Sequence, residues 1–128
     1  LDSDRKVSLI KRINMGTNCI FCKIHIGEIK SEILYSNEYC FVIKDIAPRA
    51  LVHLLVIPNK HIEELINMEM DDYVIIGKMF ESAQKMANDT GVSHSGYRLI
   101  INQGEHSGQM VDHLHLHVIG GEQLGGMV

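Results

Sequence analysis

Tryptophan is absent from this 128-residue chain and proline occurs only twice. With 45% apolar residues and charges of both signs, so little proline excludes a fibrous or disordered chain and leaves material for a real core. Long hydrophobic runs are missing too. Charge or histidine breaks each apolar stretch within about eight residues, far short of the roughly 20 that a spanning helix needs, so no membrane partner is expected. Excess positive charge is also lacking: the formal net charge is −4, which argues against polymeric DNA or RNA while leaving room for a local pocket that takes a small phosphate. Cysteine is scarce. Cys19, Cys22 and Cys40 are odd in number and too few for a disulfide framework, which fits a reducing compartment and predicts a cytoplasmic protein. Residues 1–14 hold four basic and two acidic residues without the apolar centre of a secretory signal. We read them as a poorly ordered N-terminal extension ahead of a single domain spanning 15–128, the usual size of one core.

The patterning predicts helix, three strands, helix, two strands. "CIFCKIHIGE" (19–28) places Ile20, Phe21 and Ile24 near helical spacing, with Gly27 as a stop, and predicts a short helix. "EILYS" and "YCFVIKDI" are β-rich runs separated by a short turn, and "LVHLLVIP" (51–58), closed by Pro58, reads as a third, mostly buried strand. Between Met70 and Thr90 apolar residues recur at three and four, with acidic residues early and Gly91 at the end, as in a long amphipathic helix. "YRLIINQG" (97–104) and the segment around "VDHLHLHVIGG" (111–121) give strands four and five. Sequential strands on short turns, without regular alternation of strand and helix, predict an antiparallel sheet and the α+β class.

His113, His115 and His117 alternate with leucine. On a strand this spacing sends Leu114, Leu116 and Val118 to one face and the three imidazoles to the other. A solvent-facing polar strand normally carries Lys, Thr, Glu or Ser, so three imidazoles point to chemistry. A catalytic zinc site is one reading, although ligands in a line converge poorly on a tetrahedral ion. A nucleophilic histidine supported by its neighbours is the other, suited by an imidazole pKa near neutrality.

The row His113-Leu114-His115-Leu116-His117-Val118-Ile119 resembles the histidine triad (HIT) signature, in which histidines alternate with apolar residues. "CIFCKI", "DIAPRA", "LVIPNKHI", "GYRLIINQG" and "HLHLHVIGG" resemble the Hint branch of that family in the same order, from about Asn18 to Gly121. The resemblance implies a five-stranded antiparallel sheet with one long and one short helix, paired into a homodimer with a larger continuous sheet. It implies a purine-nucleotide hydrolase that cleaves nucleoside phosphoramidates or acyl-adenylates to AMP. His115 would be the nucleophile carrying a nucleotidyl intermediate, supported by His113, His117 and His53. Asp45 would accept hydrogen bonds from the ribose, and Asn102, Gln109 and position 110 would face phosphate and leaving group. Phe21, Ile24, Ile43 and Ile46 would line the base cleft. In some relatives two cysteines, a histidine of a "KHI" segment and the first triad histidine hold a structural zinc; here these are Cys19, Cys22, His61 and His113. A Cys2His2 set is a closed site, and the chemistry does not need the metal.

One departure concerns the leaving group. Relatives often carry Ser or Thr after the glutamine, whereas this chain has Met110, which has no hydroxyl to donate. Two rival functions follow: a dinucleoside polyphosphate hydrolase, and a zinc-stabilised nucleotide-binding module without turnover. Cys40 is expected to be a small buried hydrophobe, and His25, His94 and His106 to be surface residues.

Overall fold

The computed structural model of the chain describes residues 18–128, so the predicted extension over 1–14 lies outside the described residues. The elements are α1 (Ile20–His25), β1 (Tyr35–Ser36), β2 (Cys40–Lys44), β3 (Val52–Pro58), α2 (Tyr73–Asp89), the short α3 (Val92–Ser95), β4 (Tyr97–Ile100) and β5 (Leu116–Gly120). All strands pair antiparallel in one sheet of order β1-β2-β3-β5-β4. The α+β architecture therefore stands as expected.

Alternation along the strands gives the sheet two different apolar faces. Cys40, Val42, Leu54, Val56, Leu116 and Val118 lie on one face and pack with Met79, Ala83 and Met86 of α2. Phe41, Ile43, Leu55 and Ile57 lie on the other and are covered by Phe21 of α1. The long helix starts three residues later than its periodicity suggested, because Met70–Asp72 form a 3-10 turn in which Asp72 accepts the Glu69 N–H at 3.0 Å. At the far end of β5, Gly120 leaves little room for a side chain, since an added Cβ would sit 3.1 Å from Tyr97 Cβ and 3.2 Å from Val92 Cβ. That close approach seats the α3–β4 turn against β5.

The strand predicted over 111–121 is shorter than expected, and only His117 of the histidine row lies within it. β4 ends at Ile100, opposite His117, and the β3–β5 pairing stops at Val56 and Leu116, short of residues 113–115. Leu114 N–H instead donates to Ile62 O at 2.6 Å, which holds the segment extended beside residues 61–63. Likewise β4 stops at Ile100, and residues 101–104 continue as loop. The alternation survives without the ladder: Leu114 is fully buried in the α2-side core, while His113 and His115 meet Phe21 on the other side.

Candidate active site and metal cluster

The register of three strands assembles the histidines. His53 opposes Ile119 and His117 opposes Leu55, so the two rings are diagonal neighbours on the α1-side face, with centroids 5.1 Å apart. His115 lies one step along, 5.0 Å from His117 and edge-on to Phe21 at 5.2 Å. Asp45 follows β2, where its N–H donates to His53 O at 3.0 Å and continues the β2–β3 pairing. Its Oδ1 accepts the Ala47 N–H at 2.8 Å, and its Oδ2 sits 3.3 Å from His53 Nε2.

Fixed hydrogen-bond partners assign the protons, because a carbonyl can only accept and a backbone N–H can only donate. His115 Nδ1 is 2.7 Å from the carbonyl of His113, so Nδ1 carries the proton and Nε2 keeps its lone pair. His113 Nε2 is 2.8 Å from Pro58 O, so the His113 lone pair lies on Nδ1. His53 Nδ1 accepts the Arg49 N–H at 3.0 Å, which puts its proton on Nε2. That proton points at His117 Nδ1, 2.9 Å away, and leaves the His117 proton on Nε2. His117 Nε2 is buried and has no hydrogen-bond partner among the described residues, a donor left over for an incoming acceptor.

Burial depresses the basicity of the whole set. It pushes His117 down to about 4, with positive His115 and His53 opposing its charge further and Asp45 offsetting part of the effect. His53 and His115 are lowered for the same first reason, and Asp45 acts against the shift in both. Near neutral pH these imidazoles are therefore uncharged, and His115 Nε2 has a lone pair available without prior deprotonation.

A second cluster joins α1 to the segment before β5. His113 Nδ1 is 3.3 Å from Cys19 Sγ, 3.6 Å from Cys22 Sγ and 3.1 Å from His61 Nδ1, and Cys22 Sγ is 3.2 Å from His61 Nδ1. A tetrahedral site with Zn–N near 2.0–2.1 Å and Zn–S near 2.3 Å has edges of roughly 3.3–3.8 Å, close to these separations. The donors are soft sulfur and imidazole, and the His113 tautomer aims a lone pair inward. Without a cation the arrangement is uncomfortable: burial and then the adjoining Cys19 push the Cys22 thiol up to about 12, and burial pushes His113 down to about 4. The four residues fit a metal ion and can hold one.

Asp45, His53 and His117 also bring three ligand-type atoms together. There the fit fails, because His53 Nε2 carries the proton that the Arg49 amide forces onto it. A protonated ring nitrogen is a donor rather than a ligand.

The remaining expected residues are distributed less simply. Phe21 and Ile43 are buried in the second core and Ile24 packs on it, whereas Ile46 is 96% exposed. Gln109 turns inward: its Nε2 donates to Glu63 O at 3.2 Å and Val111 O at 3.1 Å, and its Oε1 accepts the Gly104 N–H at 2.8 Å. This ties down a loop whose turns use Gly104 and Gly108, both with φ of +83°. Asn102 follows β4 and Met110 is 91% exposed. Cys40 is buried as expected but also lies 3.2 Å from Ser82 Oγ. His25, His94 and His106 are exposed, and His25 stacks over Phe41 at 5.7 Å. The Asp45–His53 contact was invisible in the sequence, since it depends on the β2–β3 register.

A model of the HIT domain matches residues 26–124. An uncharacterised HIT-like protein of Chlamydia muridarum is 41% identical over 116 residues, covering 91% of this chain and 91% of its own. The purine nucleoside phosphoramidase of Escherichia coli K12 is 39% identical over 114 residues, covering 89% of this chain and 96% of its own. A HIT family hydrolase from Clostridium thermocellum superposes with a TM-score of 0.83 at 42% identity, covering 87% of this chain and 96% of its own.

Proposed function

Because this chain belongs to the HIT domain family and is a hydrolase of that family, we propose that it cleaves purine nucleoside phosphoramidates or acyl-adenylates to AMP through a nucleotidyl-histidine intermediate. The observation that carries the reading is the forced tautomer of His115, which leaves Nε2 unprotonated beside a His117 that holds a free donor. His115 Nε2 attacks the α-phosphorus, and the bond from phosphorus to the leaving group breaks. Water then attacks the phosphorus, releasing AMP and restoring His115. His117 Nε2–H meets a phosphate oxygen as charge develops, a contact of the kind worth about 10² to 10³ in rate. His53 sets the His117 proton, and Asp45 accepts from the ribose.

Asn102 is the open amide on the phosphate side. Gln109 positions the loop, since its own amide is spent on Glu63 and Val111. Phe21, Ile24 and Ile43 back the base, with Ile46 at its rim. Met110 supplies no hydroxyl to the leaving group, which favours substrates whose leaving group needs no hydrogen bond there. Zinc is the proposed occupant of Cys19, Cys22, His61 and His113, where it would supply structure by tying α1 to the catalytic segment. A homodimer through the free edge of β4 and the outward Tyr73, Val74 and Phe80 of α2 completes the reading, with the cytoplasm as its setting.

The test is incubation of wild type and His115→Ala with adenosine 5′-phosphoramidate, following AMP. Release by the wild type and loss of at least 10³-fold in the variant is expected, on the scale of removing a covalent nucleophile. Equal release from both ends the proposal.

A further inference from the structure

Asp45 has two oxygens with two separate partners. Oδ1 is engaged by its own turn through Ala47 N–H, while Oδ2 faces His53 Nε2 at 3.3 Å. The same Nε2 lies 2.9 Å from His117 Nδ1, so one proton is shared between a carboxylate and an imidazole. On its other side the His53 ring is closed off by the Arg49 N–H. His53 is thus clamped between a donor on Nδ1 and two acceptors on Nε2, and only one neutral tautomer satisfies all three.

We propose that Asp45 is a positioning residue for the histidine pair: with the Arg49 amide it keeps the His53 proton on Nε2, which obliges His117 to present its Nε2–H to the reacting phosphate. This rests on the nucleotidyl-transfer reading, and it gives Asp45 a role in the chemical step that does not depend on ribose. Losing the carboxylate removes one of two acceptors for that proton and the negative charge that Asp45 sets against the pair. His53 is then held in its Nε2–H form by the Arg49 amide alone, and when it takes the competing Nδ1–H form His117 carries its proton on Nδ1, leaving Nε2 as a lone pair that repels phosphate oxygen. The charged and titratable groups acting on the pair are Asp45 and Arg49 from the β2–β3 connection and His115 from the segment before β5.

Geometry separates this from a role in ribose binding alone. Asp45→Asn keeps an oxygen for the Ala47 amide but loses the charge, and Asp45→Ala loses both. Each variant is assayed with adenosine 5′-phosphoramidate and its 2′,3′-dideoxy analogue, and 15N spectra of the imidazoles are recorded on the free proteins. The expected result is a kcat lower by roughly tenfold or more with both substrates, as befits a misplaced proton donor. In the spectra, His117 shifts from the Nε2–H form towards Nδ1–H, and the His53 and His117 titrations move to lower pH. A rise in KM confined to the ribose substrate, with kcat held and the 15N spectra unchanged, overturns the proposal. Should the wild type hydrolyse neither compound, the functional reading falls, and the spectra still decide whether Asp45 sets the His117 proton.

Discussion

His117 shows what an uncharged buried imidazole does to pH dependence. Its folded pKa of about 4 lies below the value near 6.5 of an unfolded histidine, so between these limits the unfolded chain binds more protons. Stability contributed by the neutral ring is complete above about pH 6.5, falls as pH drops towards 4, and changes no further below that. The loss for this one residue is at most about 3–4 kcal/mol. Urea midpoints measured from pH 7 to pH 4 should therefore decline, and His117→Gln should flatten the decline; an equal slope in both proteins would contradict this. His53 adds to the slope in the same direction. The residue types and their spacing were legible in the sequence, because alternation with leucine has few other uses. The proton positions were not, since Pro58 O, His113 O and Arg49 N–H act on them through backbone geometry that no side-chain pattern encodes.

At the scale of elements, β5 serves both sides of the sheet. Leu116 and Val118 are buried against α2, with His117 between them on the opposite face. Leu116→Ala should cost about 2–5 kcal/mol, as large-to-small changes in a packed core do. It should also raise exchange of the β5 amides more than those of β1, which hydrogen exchange can read. The succession of elements along the chain and the identity of the long helix followed from periodicity and from Pro58 and Gly91. Strand ends did not, because they depend on where pairing stops: Leu114 has an extended pattern but donates to Ile62 rather than into the ladder. The inward contacts of Gln109 were not legible for a similar reason, since a loop held by its own glutamine looks in sequence like a loop offering that glutamine to ligand.

For the molecule as a whole, the Cys19, Cys22, His61 and His113 cluster joins segments separated by 94 residues in the chain. An ion bound only by the folded form stabilises it by about 2.7 kcal/mol when free metal is 100-fold above Kd. Zinc-loaded protein treated with a chelator should show a lower Tm, and Cys22→Ser should melt at the same temperature with or without chelator. Melting of the wild type that ignores the chelator would remove the metal from the account. The family and its fold were readable from a few motifs in order, whereas the second core under α1 was not, because Phe21, Phe41 and Leu55 are far apart in sequence and nothing in their apolar character says which side of the sheet they cover.

The bond from His115 Nδ1 to the carbonyl of His113 is made by main chain on one side. Any residue at position 113 offers that carbonyl, whatever its side chain. The orientation of the His115 ring is consequently insulated from mutation at 113, so on the proposed mechanism His113 can be exchanged, or both cysteines lost, while the His115 ring keeps its aim.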